Sequence, residues 1–261
     1  MRVAAAVVLL LLVVASSLVL LRAPMGYAAQ DREHIAAGHS PSHWVGTDEL
    51  GRDRGVRISS ALLTGLAGAV AASTLATLIS ASLGLAAAFS PRFVGQTLLY
   101  VSDLFLTLPW LFLLMIVRSE LPLTLAPLQS AAVTFLLLAL LGWPAYTRVI
   151  YAGASALRRA DWMVHGLACG LRTRQIVRRH LLPHLFPLLL SQFLVYIPAC
   201  LVAEANLGTL GLGISEPLPS WGSMLLALAS SASLAGSHWV YLPIVLLVSV
   251  LLLLELLVFE A

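Results

Sequence analysis

Residues 161–184 read DWMVHGLACGLRTRQIVRRHLLPH and gather Arg172, Arg174, Arg178 and Arg179 with three histidines inside a chain that is otherwise close to hydrocarbon. An arginine at the centre of a bilayer costs roughly 2.5–3.5 kcal/mol even on the most lenient scales. Such a cluster therefore lies outside the membrane, and it fixes the direction in which the neighbouring apolar runs cross.

The apolar runs dominate the rest. Of the 261 residues, 60% are hydrophobic and 10% charged, and the mean hydropathy is +0.95. That composition describes an integral membrane protein rather than a soluble domain. All 15 basic residues are Arg and none is Lys. A phosphate-binding P-loop requires its Lys, so the chain is not expected to be an enzyme that hydrolyses ATP by that route. The net charge of +3 is too small to argue for nucleic acid. Cys169 and Cys200 fall at different membrane depths, so two free thiols are expected.

Residues 3–21 are an uncharged run between Arg2 and Arg22, long enough to cross a bilayer core of about 30 Å. They read as an uncleaved anchor helix occupying 1–22, the alternative being a signal peptide. A polar outer segment, 23–57, follows. Further apolar runs at 60–89, 94–117, 123–143, 185–205 and 239–259 complete six expected spans in an all-α membrane protein. With the N-terminus inside, the inner loops receive Arg2, Arg92, Arg148, Arg158, Arg159, Arg172, Arg174, Arg178 and Arg179. The outer side receives Arg22, Arg32, Arg52, Arg54, Arg57 and Arg118. The excess, concentrated in one loop at 144–184, places that loop and both termini in the cytoplasm. The core is then 58–261, with a second outer segment at 206–238.

The second run is rich in Gly65, Gly68, Gly84, Ala and Ser, the composition of close helix packing. Asp103 lies inside an apolar run, where a carboxylate faces the bundle interior or a water path. Either a structural role or a place in a proton relay fits it. Pro109, six residues on, loosens the helix between them. His34, His39 and His43 fall within ten residues in the outer segment, but without Cys and without regular helical spacing, so the expectation is a solvated polar loop and no metal site. Glu204, near the outer end of the fifth run, serves as a gate or as a paired structural carboxylate.

Two motifs become specific when taken together. Residues 43–54 are HWVGTDELGRDR and residues 203–222 are AEANLGTLGLGISEPLPSWG. They resemble the permease subunits of peptide-type ABC importers (dipeptide, oligopeptide and nickel systems), specifically the second permease of each pair. The first motif matches at His43, Gly46, Thr47, Asp48, Gly51, Arg52 and Asp53. The second matches at Ala203, Glu204, Ala205, Leu207, Gly211, Gly213, Pro217, Pro219, Ser220, Trp221 and Gly222. Trp221, amphipathic, is expected at an interface.

The resemblance implies a type I importer fold, a second homologous permease, two cytoplasmic ATPase subunits and an external or lipid-anchored solute-binding protein in a bacterial inner membrane. It implies no cofactor. It also places the opening stretch at the cytoplasmic loop that docks on an ATPase, with Asp161, Gly170, His180, Leu182 and Pro183 at matching positions. The residues themselves allow one helix over 155–169, a break at Gly170 where φ turns positive, and a second basic helix over 172–182. The sequence departs from the family at Val164, His165 and Gly166, where the Glu-Ala-Ala of the loop is missing. The simpler reading of the loop is that its arginines only set topology. Two other readings of the chain are a stand-alone secondary transporter using Asp103 and Glu204 as coupling carboxylates, and a membrane-embedded enzyme, for which no nucleophile elbow or metal-ligand spacing is present.

Overall fold

The computed structural model of the chain describes residues 2–23, 26–120, 122, 125–230 and 238–259, with the backbone alone at 164, 167, 168, 173, 174, 230, 238, 239 and 259. The described residues form helices joined by connections of which 23–53 is the longest, with one isolated β-bridge between Thr47 and Asp53 and no strand among them. Lipid offers no partners to exposed N–H and C=O groups, and helices satisfy theirs internally.

The first helix, α1 (Arg2–Arg22), lies at the periphery against α2 (Arg54–Phe89). Ala5 and Ser16 are its buried positions, while Leu10, Leu11 and Leu21 are exposed. Helix α2 is the axis of the bundle, and its small residues explain why. A side chain at Gly68 would collide with the Phe135 ring, at Gly84 with Ile150 and the Thr147 carbonyl, and at Gly65 with the Trp221 indole. Close approach is reinforced by hydroxyls that bond across helices, Ser73 to the Phe193 carbonyl and Ser80 to the Trp143 carbonyl at 3.1 Å.

Two expected spans are bent rather than straight. Helices α3 (Arg92–Thr107) and α4 (Trp110–Ser119) meet at 81°. Pro109 has no N–H and drives the residue before it out of the helical region, and Leu108 indeed has ψ 135°. Helices α5 (Pro127–Leu141) and α6 (Trp143–Arg158) meet at 40° across Gly142. There the Tyr196 hydroxyl fills the space of a missing side chain and donates to the Leu138 carbonyl at 2.7 Å. The two breaks open on one cavity of about 280 Å³, bordered by Leu108, Trp110, Gly142, Tyr146 and Cys200.

Residues 144–158, expected within the inner loop, are helix α6. Thr147, Ile150 and Ala154 recur along one face and are buried against α2 and α3. Only residues 159–172 separate α6 from the elements that lead into the next span, and within them lies α7 (Asp161–Ala168). The expected helix over 155–169 is thus broken at Arg159 and Ala160. The expected basic helix over 172–182 is not separate either. It begins as α8 (Thr173–Ile176), widens into a π-turn at Val177–Leu181 and runs into α9 (Leu182–Thr209). Leu182 donates to the Val177 carbonyl and Pro183 donates nothing, so the wide turn absorbs the missing bond.

Of the expected outer segment at 206–238, residues 231–237 lie outside the described residues, and the rest contains a helix. Helix α10 (Trp221–Ser230) folds back along α9, with Gly208 and Gly222 in backbone contact, before α11 (Leu242–Phe259) returns through the bundle. Trp221 is correspondingly not at an interface. It is fully buried, packed on Gly65 beside Leu201.

Candidate functional site

Two clusters stand at opposite ends of the bundle. At the outer end the 43–54 segment is folded by its own turns. Gly46 and Gly51 adopt φ of +79° and +75°, conformations that suit glycine. Asp48 receives the backbone N–H groups of Leu50 at 2.9 Å and Arg52 at 2.8 Å, and its other oxygen accepts from Arg52 Nε at 2.7 Å. Asp53 caps α2, accepting from the Val56 N–H at 2.9 Å, and holds His43 Nδ1 at 2.8 Å. That Asp53 contact raises the His43 pKa above its ordinary value, with burial acting in the opposite sense.

The second outer motif is capped and tied to the first. Helix α9 ends with Leu212 N–H on the Leu207 carbonyl and Gly211 N–H on the Gly208 carbonyl, with Gly211 at φ +76°. This pairing of bonds is a Schellman cap, which the Gly-Leu-Gly spacing encodes. The turn delivers Glu216 between two arginines: Arg52 Nη1 donates at 2.8 Å and Arg57 Nη2 at 3.0 Å. Arg57 is 5% exposed, so Glu216 neutralises a charge that would otherwise be costly to bury. Beneath it, buried Arg118 donates to the carbonyls of Leu212 and Gly213, both at 3.0 Å, and to Ser130. No carboxylate pairs with Arg118 among the described residues.

Glu204 is 1% exposed. Its carboxyl faces the Ser220 hydroxyl and the N–H groups of Trp221 and Gly222 at the start of α10, none of which closes to full hydrogen-bond geometry. Gly213 sits on the Gly208 backbone, in the same crossing. The structure therefore gathers Asp48, Arg52, Asp53, Glu204, Gly211, Gly213 and Trp221 at one end of the molecule. It adds Arg57, Arg118 and Glu216, which sequence reasoning passed over. The available signal was charge complementarity: Glu216 is the acidic residue of a segment facing an arginine-rich one.

Asp103 and Pro109 belong to neither end. Asp103 accepts a hydrogen bond from Arg148 of α6, an ion pair that joins α3 to α6. Arg148, counted above as a loop residue, is thus a helix residue with a partner in the bundle.

The inner cluster is built differently. Met163, Ile176 and Leu181 are buried, and Leu181 joins Ala88, Ala154 and Leu185 in a small core beneath the loop. Arg158 closes the base by donating to the Ala88 carbonyl at 2.6 Å while lying over the Phe89 ring. Trp162 stacks on His184 at 5.2 Å. Gly170, with φ +80° and open space around it, turns the chain between α7 and α8. Gly166, one of the departures, admits the Ile176 side chain where a Cβ would stand 3.2 Å from it. The outward face carries Asp161, Cys169, Arg172, Arg178, Arg179, His180 and Pro183, all exposed. Arg172, Arg178 and Arg179 form no ion pair among the described residues. Arg174 and Val164 fall among the residues described by backbone alone.

A bundle of broken and unbroken apolar helices, latched at one end and carrying a packed basic loop at the other, defines a polytopic membrane transporter component. Residues 80–260 match the family described as binding-protein-dependent transport system inner membrane component. The chain belongs to that family and is a permease subunit of a binding-protein-dependent ABC importer. A protein of Brucella suis whose name describes a peptide permease is 30% identical over 218 residues, 83% of this chain and 70% of that protein. A dipeptide transport system permease protein of Alkalihalophilus pseudofirmus is 30% identical over 80% of this chain and 68% of its own length. An oligopeptide transport system permease protein of Bacillus subtilis is 26% identical over 71% of the chain and 59% of its own length. The family places ATP hydrolysis and solute capture on partner proteins, and the secondary-transporter reading of Asp103 and Glu204 is not favoured.

Proposed function

We propose that the chain forms half of a translocation pathway for peptides or a related small solute, beside a second homologous permease, two ATPase subunits and a solute-binding protein. The names of its relatives support peptides as the cargo class. Three helices are long and apolar enough to cross, and five crossings result if each bent pair is one span; in this reading the shorter α11 is the sixth, and both termini lie on the side of the basic loop. The positive-inside rule makes that side the cytoplasm. The opposite face, formed by residues 43–54 and 206–222, is offered to the binding protein or the partner permease.

The observation that carries this reading is the construction of the 159–181 loop. Leu181 is buried in the small core with Ala88, Ala154 and Leu185, against which Trp162 and Val177 pack, whereas Arg172, Arg178 and Arg179 are exposed and form no ion pair among the described residues. A rigid element transmits a load from an ATPase to the spans, and guanidinium groups meet a partner's carboxylates through charge-assisted bonds. Arginines needed only for topology require no such foundation.

Gly170→Val tests the two readings, because it removes no charge. A β-branched residue at φ +80° is strained by about 1–2 kcal/mol, and no neighbour blocks it. The variant should insert normally, while transport falls and ATP hydrolysis in the assembled complex stops responding to the loaded binding protein. Normal stimulation would leave the loop as a topological anchor.

A further inference from the structure

The outer segment was read from sequence as a solvated loop without a metal site, yet the fold brings three metal-ligating atoms to one point. Asp31 Oδ2 lies 2.9 Å from His34 Nδ1 and 3.4 Å from His43 Nε2. All three atoms fall within 4.8 Å of one another. Ligand atoms around a tetrahedral ion with bonds of ~2.0–2.1 Å stand about 3.3 Å apart. The two separations from Asp31 Oδ2 bracket that spacing.

Each ligand is also oriented from behind. Asp31 Oδ1 accepts from the Glu33 N–H at 3.0 Å, leaving Oδ2 for the cluster. The Asp31 backbone is fixed by its N–H on the Gly51 carbonyl at 2.9 Å. His43 presents Nε2 because Nδ1 is held by Asp53 at 2.8 Å. A carboxylate on the far nitrogen of an imidazole is the arrangement that sets the tautomer and basicity of a metal-bound histidine. His39, by contrast, turns its Nδ1 to the Trp44 carbonyl at 2.6 Å and stands outside the set.

We propose that Asp31, His34 and His43 bind a borderline divalent transition-metal ion such as Zn²⁺, with Asp53 as the positioning carboxylate and solvent in the remaining position. Two imidazoles and one carboxylate suit such ions rather than Ca²⁺ or Mg²⁺, which prefer all-oxygen shells. The bound ion ties the 31–34 turn to His43 and, through Asp53, to the first turn of α2. It therefore fastens the segment that carries Arg52 to the bundle. The site is independent of the transport reading above.

The test uses the full chain, purified with a tag free of histidine, in nanodiscs. Zn²⁺ binding is measured by competition with a chelator, and Co²⁺ by its visible absorption. The expected result is one tight site whose Co²⁺ spectrum has the intensity of four-coordination. Asp53→Asn should weaken Zn²⁺ about 10–100-fold, the effect of losing an outer-shell carboxylate, and His34→Ala or Asp31→Asn should weaken it more. His39→Ala should leave binding unchanged. Zn²⁺ should raise the thermal midpoint of the parent chain and not that of His34→Ala. Equal affinity in the parent and His34→Ala chains, equal loss in His39→Ala, or a Co²⁺ spectrum without four-coordinate bands would overturn the proposal.

Discussion

The two ends of the molecule carry similar numbers of charged residues and use them in opposite ways. At the outer end Asp48, Arg52, Arg57 and Glu216 are joined to one another, and Arg118 is consumed by backbone carbonyls. At the inner end Arg172, Arg178 and Arg179 point outward with no partner in the chain among the described residues, above a small apolar base. Charges that satisfy each other stabilise a fold. Charges left on a rigid platform are available to another subunit. The outer end reads as architecture that also presents a surface, and the inner end as a surface that borrows architecture.

The contrast can be broken most easily at the outer crossing of α9 and α10. Gly208→Ala places a Cβ 2.4 Å from the Gly222 backbone, and no side chain can yield to relieve it. Overpacking of this kind costs about 1–3 kcal/mol or more. The expected outcome is a marked fall in thermal midpoint and in the yield of assembled transporter. A midpoint unchanged from the parent would mean that the crossing is looser than described.

Glu216→Gln should have a smaller effect. It leaves Arg57 buried without its carboxylate, which costs up to ~3–5 kcal/mol when both partners are enclosed. Here the Glu216 side chain is 50% exposed, so a loss of about 1–2 kcal/mol is expected from denaturation in detergent. The loss should shrink in Arg57→Met/Glu216→Gln, where no buried charge is left over.

The smallest effect on stability belongs to Arg178→Ala/Arg179→Ala. Both side chains are exposed, and surface changes stay within about 0.5 kcal/mol. Assembly with the ATPase subunits should nevertheless weaken, and weaken further with salt. Unchanged salt-dependent assembly would remove the distinction between the two ends.

Much of this organisation was legible in the sequence, and the exceptions have physical causes. Hydropathy located the apolar runs because span length is set by the bilayer. It could not foresee that Pro109 bends its span by 81°, since the bend depends on what the freed carbonyls and side chains find nearby. It ended a span at residue 143 because Arg148 and Arg158 lowered the local hydropathy. In the fold, one is paired with Asp103 and the other sits at the helix end. Gly170 was readable because a helix end next to glycine is a local event. Trp221 and Glu216 were not, as their surroundings come from segments more than a hundred residues away. The convergence of Asp31, His34 and His43 was not readable for the same reason, since spacing along the chain says little where turns bring residues together.

The difference between the ends can be measured with the native chain. Cys169, beside Gly170 on the basic loop, is exposed, and Cys200 is buried. A membrane-impermeant thiol reagent therefore reports on the loop alone. In inverted membrane vesicles carrying the permease without its ATPase subunits, Cys169 should react rapidly, and it should stay unreactive in right-side-out vesicles. With the ATPase subunits assembled, the same reaction should slow strongly. Equal labelling rates with and without the ATPase subunits, or labelling from the outer side, would contradict the claim that this loop is the surface offered to the motor.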